Sequence, residues 1–464
     1  MTINFKDTIV ALSTAKGTSA IAVLRLSGNK ALQIVSQFVF NKKLKKIEID
    51  SNQSKSNLFC LIVSQNAVID EVLVNYFKSP KSYTGEDCIE VSCHGSLFVQ
   101  QKLLQLFLNA GARMAQPGEF TLRGFMNGKF DLSQAEAVAD LIASESAASH
   151  QLAINQMRGG YSDQIKLLRN DLINFASLIE LELDFAEEDV EFADRAQLNS
   201  LLNSLTQLIT KLLLSFEKGN VIKNGVAVAI VGKPNAGKST LLNALLQEER
   251  AIVSEMPGTT RDTIEDELNI NGVIFRFIDT AGLRKTRDTI EQIGISRTYA
   301  AVEKAAVVIY VFDVNELSNK ELQQEIDEIS KSITQAKLLV VGNKIDSNQF
   351  KNLAADFVNI NNLSFISAKS QTNIEELKDR LLNLFELGNI DVNDTIVTNA
   401  RHANSLKMAL NQLEQVKDGI NQGISGELLA QNIRMAIEEL GQITGEVSSN
   451  DLLGNIFSKF CIGK

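Results

Sequence analysis

The chain's texture predicts a multidomain protein: an N-terminal α/β or α+β domain, then an all-α helical domain interrupted by an inserted α/β unit with a doubly wound sheet. Three observations carry this. The 464 residues, 44% of them hydrophobic, suffice for several cores and for about three domains on the usual scale of roughly 150 residues each. Residues 225 to about 386 alternate continuous apolar strands with amphipathic helices, the pattern of a parallel sheet covered on both faces. The flanking segments, about 131–219 and 399–464, place apolar residues at i, i+3 and i+4 with almost no breakers, which predicts long packed helices.

From the N-terminus, short β-branched runs ("TIVAL", "IAVLRL", "CLIVS", "EVLVNYF", "CIEVSC") are separated by Gly and Ser turns, and "FVQQKLLQLFLNAG" predicts one helix that stops at glycine. "DLSQAEAVADLIASESAASHQLAINQM" and "LNSLLNSLTQLITKLLLSFEKG" then read as long helices. A net charge of −10 argues against general nucleic-acid affinity, so an RNA partner would have to meet a local basic patch such as "NKKLKK" at 41–46, a run that reads more simply as solvated surface. Four irregularly spaced cysteines (Cys60, Cys88, Cys93, Cys461) and no apolar leader after Met1 predict a reducing, cytoplasmic setting. Apolar runs such as "VAVAIVG" and "AAVVIYVF" fall far short of the ~20 residues that span a bilayer, so no membrane association is expected.

"VAVAIVGKPNAGKSTLLNALL" is a buried strand, a glycine loop and a helix, with Gly232, Gly237, Lys238 and Ser239 in the G-x-x-x-x-G-K-[ST] pattern. The N–H groups of Asn235, Ala236, Gly237, Lys238, Ser239 and Thr240 would face phosphates, Lys238 would bring a point charge, and the Ser239 hydroxyl would ligate Mg²⁺. The alternative for the glycines alone is a tight turn in a Rossmann-type sheet. Downstream, "DTAG" (Asp279, Thr280, Ala281, Gly282) follows a strand: its carboxylate can hold Mg²⁺ through water and the Gly282 N–H can meet a γ-phosphate. "LVVGNKID" sets Asn343, Lys344 and Asp346 after another buried strand. Asp346 can accept from N1–H and the exocyclic amine of guanine, a pairing adenine cannot offer. "FISAKS" adds Ser367, Ala368 and Lys369, with the Ala368 N–H available for the guanine oxygen. Taken in this order, the segments imply GTP.

Between loop and sensor, "SEMPGTTRD" carries Ser254, Glu255, Met256, Pro257, Gly258, Thr259 and Thr260, a switch by position, with Thr260 able to close over Mg²⁺. After "DTAG" comes Leu283 where many small GTPases have a water-orienting glutamine. Glu291 in "DTIEQIGISR" is the candidate replacement, the alternative being an exposed helical glutamate. At the other end, "FSKFCIGK" puts Cys461 three residues from the carboxyl terminus, open to four readings: frayed tail, lipidation signal, buried structural thiol, or reactive group. "CIGK" has glycine at an aliphatic position and lysine last, against prenylation, while Phe457, Phe460 and Ile462 favour docking.

Outside the nucleotide motifs, "DTIVAL", "LRLSG", "SYTGEDCIEV", "PGEFTLRGFMNGKFDLSQAEAVADLI", "LDFAEEDVEF" and "ITGEVSSNDLLGNIFSKFCIGK" resemble, from end to end, the MnmE (TrmE) family of bacterial tRNA-modification GTPases. The resemblance implies a tetrahydrofolate-binding, dimerising domain over 1–118, a helical domain in two parts over 119–223 and 387–464, and a P-loop G domain over 224–386. It also implies a homodimer, a heterotetramer with the flavoprotein MnmG (GidA), and addition of a carboxymethylaminomethyl or aminomethyl group at carbon 5 of the wobble uridine of certain tRNAs. By matching motif, it assigns K⁺ to Asn235, Ser254, Met256 and Thr259, and Mg²⁺ to Ser239 and Thr260. Glu291 falls at the catalytic position, and Arg25, Glu90, Lys129 and Lys464 at contacts to a reduced folate, 5,10-methylene- or 5-formyl-tetrahydrofolate. A docked Cys461 would then assist carbon transfer as nucleophile or proton donor. Cys93 in "SCHGS", Gln116 before "PGEFT" and Ala186 in "LDFAEED" depart from the family's commoner residues. Two rival classes remain: a regulatory switch acting on RNA without modifying it, which would not bind reduced folate, and a nucleotide-stabilised scaffold, which would not turn over GTP in potassium.

Overall fold

The computed structural model describes residues 6–50, 55–184, 195–246, 266–278, 302–333, 336–347, 357, 360–385 and 395–463. They form two compact units, one of residues 1–139, 156–198 and 415–464, the other of 140–155 and 199–414.

In the first unit a seven-stranded sheet comprises β1 (Ile9–Leu12), β2 (Ile21–Ser27), β3 (Val39–Phe40), β4 (Lys55–Ser64), β5 (Ala67–Phe77), β6 (Cys88–His94) and β7 (Arg113–Met114), in the order β3-β4-β5-β6-β2-β1-β7. Among the described strands of this sheet only β1 and β7 pair parallel, so the domain is α+β. The β4–β5 hairpin turns on Gln65 and Asn66, both at positive φ (49° and 61°), the backbone of a tight two-residue turn. Alternate residues Leu24 and Leu26, Val72 and Val74, and Ile89 and Val91 share one core with Leu103 and Phe107 of α2 (Leu97–Asn109) and Ile34 and Val35 of α1 (Ala31–Ser36). The predicted single helix was legible because its stop is a backbone requirement: Gly111, at φ 103°, lies just past the α2 C-terminus.

Next along the chain are α3 (Glu119–Met126), α4 (Leu132–Ala143), α5 (Ala147–Met157), α6 (Ser162–Asp184) and α7 (Arg195–Asn224). The long helix predicted across "ASESAASH" is broken between α4 and α5. Serine hydroxyls there compete for backbone groups: Ser144 Oγ donates to Leu141 O (2.7 Å), and the Ser149 N–H donates to Ser146 Oγ (3.1 Å).

In the second unit the described residues form six strands in the order β13-β12-β11-β8-β10-β9: β8 (Val226–Val231), β9 (Asp266–Ile270), β10 (Val273–Phe277), β11 (Val307–Asp313), β12 (Lys337–Asn343) and β13 (Leu363–Phe365). Residues alternate between two cores: Val228 and Ile230 with Val307, Ile309 and Val311 on one face, Ala229 and Val231 with Val308, Tyr310 and Phe312 on the other. This is the doubly wound sheet, with one departure. β9 is antiparallel to β10, because Asn271 and Gly272 at φ 49° and 84° make a hairpin. Helices α8 (Lys238–Leu246), α9 (Asn319–Ser332) and α10 (Ile374–Asn383) belong to this unit. The last helices are α11 (Ala400–Gln422), α12 (Gly426–Thr444) and α13 (Asn450–Phe457). α12 packs on α6, and Ile433, Ala436 and Leu440 of the one and Ile165, Leu172 and Ile179 of the other are all buried. No helix among the described residues is long and apolar enough to cross a membrane.

Candidate functional site

The central strand β8 ends in the loop Gly232–Gly237, from which α8 starts at Lys238. Close packing and a positive φ dictate both glycines. At Gly232 (φ 145°) an added Cβ would lie 2.0 Å from the Val311 carbonyl, and at Gly237 (φ 94°) 2.2 Å from Asn343 Nδ2. Asn235 takes the left-handed backbone itself, at φ 65°. Lys238 Nζ donates to the carbonyls of Gly232 and Lys233 at 2.7 Å each, and its burial holds its pKa below the usual lysine range. Ser239 and Thr240 occupy the first turn of α8. A helix N-terminus and a half-desolvated ammonium share this loop, an arrangement suited to polyphosphate.

Asn343 joins this loop to the base-side segments. From the end of β12, its buried side chain donates through Nδ2 to Ala236 O (2.9 Å) and accepts through Oδ1 from the Ala368 N–H (3.0 Å). The Ala368 N–H, expected from sequence to face a guanine oxygen, is thus directed at Asn343 in this structure. Ser367 Oγ donates to Asp346 Oδ1 (2.7 Å), leaving the other carboxylate oxygen without that constraint. Lys344, at φ 72°, pairs through Nζ with Asp313 Oδ2 (2.6 Å). Burial pushes the Asp313 carboxyl up, but the Lys344 ammonium and Asn315 outweigh it and hold it below its ordinary value. Lys369 is exposed. Sequence reasoning missed the Asn343 brace, and also a tie behind the loop in which Tyr310 donates to Glu325, which pairs with Lys233. Neither has a local signal, since each joins residues far apart in sequence. Ser254, Glu255, Met256, Pro257, Gly258, Thr259, Thr260, Asp279, Thr280, Ala281, Gly282, Glu291 and Lys464 lie outside the described residues.

A second constellation lies in the first unit. Arg25 on β2 and Glu90 on β6 are register partners, and Arg25 Nε and Nη2 donate to Glu90 Oε1 at 3.0 and 2.8 Å. The guanidinium stands 5.2 Å from the Tyr83 ring centroid and 5.7 Å from that of Phe120. Lys129 is directed elsewhere, to Pro80 O (2.8 Å). The C-terminal segment is docked: Ile462 bridges Pro117, Ser13 Oγ donates to Gly463 O (3.1 Å), and Phe457 and Phe460 are buried. Cys461 nevertheless remains exposed. That corrects two of the readings left open by the sequence, the frayed tail and the buried structural thiol. The other three cysteines are buried, and desolvation pushes the thiols of Cys60 and Cys93 up to about 11.

The family profile described as the MnmE helical domain matches residues 132–461, and that of the GTP-binding protein TrmE N-terminus matches 8–129. Along nearly its whole length the chain is similar to the tRNA modification GTPase MnmE of Cytophaga hutchinsonii, 53% identical over 461 residues that cover 99% of this chain and 98% of the relative. The chain belongs to the MnmE family of tRNA modification GTPases. Other MnmE proteins agree: that of Flavobacterium johnsoniae is 53% identical with 99% of each chain covered, and that of Bacteroides thetaiotaomicron 49% identical with 99% and 100% covered. Among solved structures, the FeoB G domain from Methanococcus jannaschii matches 35% of this chain and 98% of its own at 27% identity, with a TM-score of 0.24. As an MnmE-family GTPase the chain combines a TrmE-type N-terminal domain, a helical domain and a P-loop G domain.

Proposed function

We propose that this chain is a potassium-activated GTPase acting as a homodimer and, with the flavoprotein MnmG, as a heterotetramer. Its reaction adds a carboxymethylaminomethyl or aminomethyl group, built with a tetrahydrofolate one-carbon unit, at carbon 5 of the wobble uridine of certain tRNAs. The domain limits 1–118, 119–223, 224–386 and 387–464 belong to this reading. The observation that carries it is the docked tail: an exposed thiol is held by backbone contacts in the same compact unit as the Arg25–Glu90 pair.

Asn343 supports the nucleotide half, because one side chain holds phosphate loop and base loop in register. Asp346, aimed by Ser367, reads the guanine edge. The Ser239 hydroxyl, beside Lys238, suits Mg²⁺, with Thr260 as its second protein ligand. The Asn235 amide, exposed on a left-handed turn, offers oxygen to K⁺ along with Ser254, Met256 and Thr259. A cation held there supplies positive charge where the departing phosphoryl group accumulates negative charge. Glu291 orients the attacking water. Glu291→Gln should retain GTP binding and slow hydrolysis about 10²-fold, the lower end of general-base effects. Equal rates would remove Glu291 from the mechanism.

An ion pair flanked by two aromatic rings fits the ring end of a reduced folate: Glu90 suits the N–H edge of the pterin and Arg25, paired with it, the pterin carbonyl, while Lys129 and Lys464 suit the carboxylates at the cofactor's other end. Reconstitution with tRNA, reduced folate, flavoprotein and GTP, followed by nucleoside analysis, tests the reading. Modified uridine is expected only when all four are present. Cys461→Ser should cut that yield while GTP turnover stays unchanged, and a wild-type yield would dispose of the thiol's role.

A further inference from the structure

Strand β10 runs straight into Asp279 in sequence, and it is pinned to the phosphate-loop strand up to the residue before it, since the Ile278 N–H donates to Val228 O at 2.9 Å. Near the end of β10 stands Arg276, whose three guanidinium nitrogens each serve a different element. Nε donates to Glu267 on the neighbouring β9 (3.1 Å). Nη1 donates to the Asn224 carbonyl, the last of α7 (2.9 Å), where a cation also suits the helix dipole. Nη2 donates to Glu145 (2.8 Å), in the serine-capped break between α4 and α5.

Two of these contacts are at joints. Glu145 lies between two separately capped helices, and Asn224 precedes Gly225, which holds φ 75° where an added Cβ would be 2.8 Å from Ile274 O. Beside the clamp is a half-open cavity of about 250 Å³, lined by Ala143, Ser149, Ile222 and Lys223 as well as Glu145 and Arg276. A strand is stiff along its axis. Arg276 therefore ties β10 to Glu145 through a partly exposed, charge-assisted hydrogen bond, so that any shift at the end of β10 would either be passed to Glu145 or break that bond.

We propose that Arg276 is a positioning residue that couples the nucleotide state at the end of β10 to residues 140–155 through Glu145. The proposal goes beyond the function above, and it uses only the GTPase activity, not the modification chemistry.

The test is hydrogen exchange of the full-length chain in one buffer, with GDP and with a non-hydrolysable GTP analogue. In the unsubstituted protein the peptides covering 140–155 should change protection between the two states. Glu145→Lys should remove most of that difference while GTP hydrolysis stays within about twofold, as for a surface substitution. Glu145→Gln, which keeps an acceptor for Arg276, should retain the difference. Arg276→Met should behave like Glu145→Lys, and should it fold poorly, the two Glu145 variants suffice, because Glu267 and Asn224 still hold Arg276. No state-dependent change in the unsubstituted protein, or an undiminished one in Glu145→Lys, overturns the proposal. Neither result bears on the potassium or folate readings, which stand on hydrolysis rates and nucleoside analysis.

Discussion

Replacing Asp346 with asparagine should weaken GTP binding by about 10²–10⁴-fold. The carboxylate is expected to accept two charge-assisted hydrogen bonds from guanine, each worth roughly 1.5–3 kcal/mol, and an amide cannot accept both. Ser367 sharpens the effect, since its hydroxyl donates to Oδ1 at 2.7 Å and fixes the plane of the carboxylate. The substituted amide, held in that orientation, would present an N–H to a guanine N–H, but it would complement the oxygen that xanthine carries at the same place. The variant should therefore gain affinity for XTP as it loses GTP. Titration of both nucleotides by calorimetry checks this, and unchanged GTP affinity would detach Asp346 from base recognition.

Arg123→Met should destabilise the N-terminal unit by about 3–5 kcal/mol, the usual cost of leaving buried charges without their partner. Arg123 is 0% exposed and pairs with Asp7 (on which its Nη2 sits at 2.5 Å), Glu86 (3.1 Å) and Glu119 (3.0 Å), so one cation ties the chain ahead of β1, the loop before β6 and helix α3 together. Arg113 shares Asp7 and Glu119, which places the expected loss toward the lower end. Burial raises the pKa values of Asp7 and Glu119, but hydrogen bonds from Arg113 and Arg123 outweigh it and leave both below their ordinary values. A carboxyl with a depressed folded pKa contributes stability that is present above its unfolded value of about 4 and is lost as pH falls through the folded one. Urea unfolding should accordingly show stability falling below about pH 4, with a shallower fall in Arg123→Met. Adding Glu119→Leu to that variant should recover part of the loss by removing a stranded buried charge. A single substitution that costs under about 1 kcal/mol would mean the cluster is not stabilising the unit.

What was legible from sequence has a physical pattern. The glycine loop and the Asn343–Asp346 and Ser367–Lys369 segments could be placed after their strands directly, because short motifs fix residue types at short spacings, and alternation of continuous apolar strands with helices indicated the doubly wound sheet. The antiparallel β9–β10 edge was encoded in Asn271-Gly272 but was overridden by the expectation of an all-parallel sheet. The α4–α5 break depended on how single serines chose their partners, which composition does not reveal. Non-local features were out of reach: Asn343 bridging to Ala236, Arg276 meeting Glu145, and an exposed Cys461 on a tail held by backbone atoms at Pro117 and by Ser13.

The central claim is that hydrolysis depends on a potassium ion at Asn235 in place of an arginine finger. The most direct measurement is the GTP turnover of the full-length chain in potassium and in sodium at equal ionic strength, with Asn235→Ala alongside. Turnover in potassium should exceed that in sodium by about tenfold or more, the equivalent of at least ~1.4 kcal/mol of transition-state stabilisation, and Asn235→Ala should erase the difference. Equal rates in the two salts, or a potassium preference that survives Asn235→Ala, would contradict it.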